Sequence, residues 1–97
     1  MHITFVKKIL ANGEPCQKCH DVEQRLIAAG HMAKIDEILV ADERNLDSAG
    51  LKLAAEVNVT RAPFFVVDTG GERQVYTVYF KFAKEVLDGV QPKQDQS

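Results

Sequence analysis

The chain has 97 residues, 45% of them hydrophobic and 27% charged, and a formal net charge of −2. That is material for one domain with one modest core. It excludes a wholly disordered chain, and the slight acidity argues against nucleic acid or an anionic membrane surface as partner. No run approaches the roughly 20 apolar residues that span a bilayer.

Residues 2–10 carry Ile3, Phe5, Val6, Ile9 and Leu10, a run suited to an interior strand buried on both faces. The first eight residues lack the order of a secretion signal, in which positive charge precedes a long apolar run, so a reducing cytosol is the expected compartment. Ala11-Asn12-Gly13-Glu14-Pro15 then reads as a loop. From Cys16 the period changes. Cys19, Val22, Leu26 and Ala29 recur at spacings of 3, 4 and 3, one face of a helix that stops at Gly30.

Residues 35–41 are a second strand candidate, followed by the polar loop Asp42-Glu43-Arg44. A second helix fits residues 46–57, with Leu46, Ala49, Leu53 and Val57 on one face and Asn58 to end it. The third strand is expected over residues 64–68, with Phe64 and Phe65 in the core. Thr69-Gly70-Gly71-Glu72-Arg73 is a turn with glycines where positive φ is needed, and residues 74–78 pair back as the fourth strand. A third helix over residues 79–87, anchored by Tyr79, Phe80 and Phe82, stops at Gly89. The domain is thus residues 1–90 and residues 91–97 a polar tail. The order is βαβαββα, a single α/β domain with a four-stranded mixed sheet and three helices. Both βαβ units are expected to be parallel right-handed crossovers and the last two strands an antiparallel hairpin.

The chemistry centres on Cys16-Gln17-Lys18-Cys19. Two thiols at i and i+3 on a helix N-terminus can reach each other, and the unpaired N–H groups of the first turn favour a thiolate at Cys16. A staple is a poor reading of this pair, because so short a loop removes little unfolded-state entropy. Lys18, Arg61 and His20 are expected to lower the Cys16 pKa, with Glu14 opposing. Lys7 and Lys8 end the first strand, where one of them could neighbour the cysteine loop, with a solvated edge as the default reading.

With Ala62-Pro63 leading into the third strand, this order and motif resemble the thioredoxin/glutaredoxin superfamily over residues 3–89. The resemblance implies a thioredoxin-like three-layer sandwich and thiol–disulfide oxidoreduction, with Cys16 attacking and Cys19 resolving. It implies a cis-proline at Pro63 beside a redox-active disulfide, and a backbone at Ala62 that pairs with substrate peptide or glutathione. Arg61 would bind an acidic substrate group. No cofactor is implied beyond glutathione as co-substrate; the partners are a protein disulfide and a reductase, and a cytoplasmic monomer is expected. The chain differs from the family's better-known members in having no tryptophan, Leu10 where thioredoxin has a buried Asp, and Gly70-Gly71 in a hairpin rather than a glutathione loop.

Three other readings compete. The cysteines could be inert on a thioredoxin-fold binding module. Cys16-x-x-Cys19-His20 matches the attachment motif of c-type haem, but the methionines available as distal ligand are Met1 and Met32 alone, and the second half is too rich in strands for a small helical cytochrome. Cys16, Cys19 and His20 could hold zinc with His2 or His31, yet no second knuckle exists at the usual spacing, so no metal is expected.

Overall fold

The computed structural model describes residues 1–87; the expected helix stop at Gly89 and the polar tail lie outside them. The elements are β1 (His2–Ile9), α1 (Gln17–Ala28), β2 (Glu37–Asp42), α2 (Ala49–Glu56), β3 (Phe64–Thr69), β4 (Glu72–Tyr76) and α3 (Tyr79–Phe82), which runs on as a π-helical turn, Ala83–Leu87. The four strands form one mixed sheet in the order β2-β1-β3-β4.

Strand polarity corrects one expectation. β1 and β2 are parallel, but β3 is antiparallel to β1, so only the first βαβ unit is a parallel crossover. The reason lies in α2, whose eight residues span about 12 Å at 1.5 Å per residue. Asn58, at φ 58°, then turns the chain. Its N–H bonds to the Ala55 carbonyl and the Val59 N–H to that of Ala54, the paired closure of a Schellman cap. β3 therefore starts with Phe64 opposite Val6, towards the C-terminal end of β1. Gly30, at φ 74°, closes α1 with the same two bonds. At the β3–β4 hairpin Gly70 and Gly71 both have positive φ, as a two-residue type I′ turn demands.

The alternation of side chains along the central strands builds two cores. Ile3, Phe5, Phe65 and Val67 face Val22 and Leu26 of α1 and Phe82 and Leu87 of the last helix. Val6, Phe64 and Val66 face the other way, towards Leu53 and Ala54 of α2 and Val57 at its end. Phe64 and Phe65 are both core, on opposite faces. Phe80 is the exception among the expected anchors. It is 68% exposed, because Tyr79, Phe82 and Ala83 already take the inward positions of that turn.

The buried face of α2 also differs from expectation. Leu46 is 82% exposed and lies before the helix. Asn45 Oδ1 accepts the Asp47 N–H, and Ser48 Oγ accepts the Asp42 N–H, so polar side chains hold residues 42–48 in turns and delay the helix to Ala49. The position pressed on the sheet is Gly50, where a Cβ would lie 2.3 Å from the Ala41 nitrogen and 2.4 Å from the Val40 carbonyl carbon. Gly50→Ala therefore has two opposed effects. Helix propensity favours Ala by about 1 kcal/mol. Forcing a methyl into the β2 backbone costs about 1–3 kcal/mol, and backbone cannot swing aside as a side chain can. We expect a net fall in the urea midpoint with unchanged slope; a rise would mean that α2 rides further from β2.

Candidate functional site

The loop after β1 folds back on itself. The Leu10 N–H bonds to the Glu14 carbonyl, the Gly13 N–H to that of Leu10, and Pro15 bridges to Ile9. Gly13 stands at φ 87°, where a side chain would be strained. The result is that the Cys16 N–H reaches the Lys8 carbonyl at 3.0 Å, which ties the first cysteine to the end of β1. Cys16 is the N-cap of α1, with extended backbone (φ −64°, ψ 127°), and its carbonyl accepts the first helical bond, from His20.

One turn on, Cys19 faces inward and is 2% exposed, whereas Cys16 is half-buried. The Lys8 N–H donates to Cys19 Sγ at 3.4 Å. Both sulfurs are free thiols. Burial opposes ionisation of Cys16, but the N–H and thiol of Cys19, the N–H of Lys18 and the charge of Lys8 together outweigh it and hold the Cys16 pKa below the ordinary thiol range. Burial pushes the Cys19 thiol up to about 12, and hydrogen bonding to Cys16 and the Cys16 charge add to that push; the N–H and charge of Lys8 pull the other way. One helix turn thus carries one thiol that ionises more readily than usual and one that resists ionisation.

The cation acting on both thiols is Lys8, one of the two strand-end lysines whose default reading is a solvated edge. Its Nζ lies 3.4 Å from Glu43 Oε2, and Glu43 Oε1 accepts the Ala11 N–H at 3.0 Å. Glu43 therefore both steadies the loop and shares the Lys8 charge. For Lys8 the one sequence signal is its place at the strand end, and for Glu43 there is none: Lys8 acts through the loop that folds Pro15 back on Ile9, and Glu43 through the β1–β2 register. Lys18 contributes its backbone N–H, and its side chain is exposed; His20 is exposed on the outer side of the turn.

Ala62–Pro63 is a cis peptide. Pro63 is buried, Ala62 half-buried and Arg61 exposed. Continuing the β1–β3 register one residue beyond Val6–Phe64 sets Pro63 level with Lys7. The segment separates two hollows. One, of about 350 Å³, brings Arg61 and Ala62 together with Lys8 and Glu43. The other, of about 200 Å³, brings Arg61 and Pro63 together with Lys18. The fold thus gathers the cysteine turn and the Arg61–Pro63 segment at one end of the sheet.

The two histidines that could add a fourth zinc ligand lie elsewhere. His2, at the start of β1, has Nε2 3.2 Å from Glu37 Oε1, and His31 Nδ1 lies 3.4 Å from Tyr79 Oη. Among the described residues, no three His, Cys, Asp or Glu side chains are grouped to hold a metal ion. Nor is any helix among them long and apolar enough to cross a membrane. Comparison of the chain with protein-family models, curated proteins and solved structures finds no match.

Proposed function

We propose that this protein is a thiol–disulfide oxidoreductase on a thioredoxin-like fold. The observation that carries the proposal is the asymmetry of the two thiols on the first turn of α1: one half-buried with an easily formed thiolate, the other buried and protonated. The gathering of Arg61, Ala62 and Pro63 beside that turn supports it, because a disulfide-bearing chain needs a surface against which to lie.

The Cys16 thiolate attacks one sulfur of a substrate disulfide. A mixed disulfide forms, and the other substrate sulfur leaves as a thiolate and takes a proton. Capture of Cys16 removes its negative charge, and with it one cause of the high Cys19 pKa, while the N–H and charge of Lys8 remain to stabilise a Cys19 thiolate. Cys19 then attacks the Cys16 sulfur and releases the second substrate thiol. The protein has lost two electrons to form the Cys16–Cys19 disulfide, and the substrate has gained two electrons and two protons. A protein disulfide is the proposed substrate, with a reductase or glutathione to restore the dithiol in a reducing cytosol.

Two measurements test this. Titration in glutathione or dithiothreitol buffers, read by alkylation and mass, should show a reversible two-electron transition between about −120 and −270 mV. In the reduced protein, iodoacetamide should label Cys16 with a half-maximal rate below the free-thiol pKa of about 8.5 and leave Cys19 unlabelled at neutral pH. Lys8→Met should move the Cys16 midpoint up, because the Lys8 charge is one of the causes that hold it down. Slow, equal labelling of both cysteines would leave a binding module on this fold, and a haem absorption band in the purified protein would overturn the proposal outright.

A further inference from the structure

We infer that the cleft between α1, the Arg61–Pro63 segment and the start of α3 holds an acidic, extended stretch of the partner protein; this rests on the oxidoreductase proposal and names its substrate class. Three cations, Lys18, Arg25 and Arg61, line the cleft, and among the described residues no acidic side chain does. The whole chain carries a net charge of −2, so this concentration of positive charge runs against the average of the molecule. Lys18 and Arg25 lie seven positions apart on α1 with Val22 between them, on one face of the helix.

The cleft also has an apolar rim. Val78 is 53% and Phe80 68% exposed, the largest departures from burial near the site. The Arg25 guanidinium lies 5.4 Å from the centroid of the Phe80 ring, which holds the cation at the mouth of the cleft. A volume of about 200 Å³ is below the range of about 300–1,000 Å³ that encloses a whole small-molecule ligand. It fits one or two side chains of something larger. Guanidinium groups pair with carboxylates through two parallel hydrogen bonds, and an exposed aromatic offers an anchor for an apolar neighbour. The occupant that satisfies charge, size and rim together is a run of Asp or Glu with an adjacent apolar residue, beside the cysteine that Cys16 attacks.

The test uses disulfide-linked peptide dimers of equal length, flanked by Glu-Glu-Leu or by Lys-Lys-Leu, with the full chain as reductant. At low salt the acidic peptide should be reduced with a kcat/KM about tenfold above that of the basic one, the sum of several exposed charge pairs. Half-molar salt should shrink that ratio severalfold by screening. Arg25→Glu and Arg61→Glu should each reduce it, and the two changes together, which leave one cation against two carboxylates, should invert it; both residues are exposed, so neither change threatens the fold. A cysteine-free acidic peptide, with Ser in place of Cys, should shift the backbone amide signals of Lys18, Arg25 and Phe80, and the basic version should not. Equal reduction of both peptides, or amide shifts that spare the cleft, would overturn the inference while leaving the oxidoreductase intact. Failure to reduce any disulfide, with the acidic peptide still seated in the cleft, would overturn the oxidoreductase and with it this substrate class.

Discussion

Replacing Cys16 by Ser is expected to abolish disulfide reduction, whereas replacing Cys19 by Ser is expected to arrest it halfway. The difference follows from the positions of the two sulfurs. Cys16 is the half-buried N-cap of α1, where the Lys18 and Cys19 N–H groups and the Lys8 charge favour the thiolate. Serine there keeps the shape but supplies a hydroxyl that stays protonated at neutral pH, so no nucleophile is left to open the substrate. Cys19, 2% exposed, cannot meet a bulky disulfide. In the proposed cycle its task begins once Cys16 is captured, so Cys19→Ser should accumulate the mixed disulfide, visible as a mass increase equal to one substrate thiol. Turnover should fall by about three orders of magnitude or more in both variants, as when the nucleophile of a covalent mechanism is removed. The mixed disulfide separates the two cases. Its absence in Cys19→Ser, with Cys16 still alkylated normally, would show that the buried thiol does not resolve the reaction.

Much of this arrangement was legible in the sequence because it depends on local signals. The spacing of Cys19, Val22 and Leu26 set both the extent of α1 and the inward face that buries Cys19. Gly30, Asn58 and Gly70-Gly71 marked the ends of two helices and a hairpin because each supplies a positive φ that other residues resist. What the sequence does not carry is non-local. The direction of β3 depends on how far α2 carries the chain, and eight residues with turns before them could not be told from twelve. Nothing in the helix pattern singles out Gly50, yet it is where the helix backbone meets β2. Lys8 reads as strand-end polarity until the loop closes and places its backbone between the two cysteines. Phe80 carries the same hydrophobic signal as Phe82, and only the packing of the last helix separates a core residue from one at the cleft.

Phe65→Ala is expected to cost about 3–5 kcal/mol, the range for a buried phenylalanine cut back to a methyl. Phe65 is 1% exposed and stands between Phe5, at 5.0 Å, and Phe82, at 3.9 Å with ring planes 4° apart. Those contacts join the two central strands to the last helix, so the lost ring removes the common wall of one core rather than a peripheral contact. Aromatic pairs add about 0.5–1.5 kcal/mol beyond buried area, which places the expected cost in the upper part of the range. Against a typical total of about 5–15 kcal/mol, this is a large fraction of the stability of a small domain. The melting temperature should fall by about 12 °C or more. Phe65→Leu, which refills much of the volume, should recover more than half of the loss. The site should respond differently from the core. Its cysteines are set by hydrogen bonds to Lys8 on β1, so the folded fraction of Phe65→Ala should keep the alkylation midpoint of Cys16. Thermal unfolding of the two variants, with Cys16 labelling at a temperature where both are folded, checks both halves. A small change in melting with a large change in thiol reactivity would mean that Phe65 acts on the cysteine turn rather than on the core.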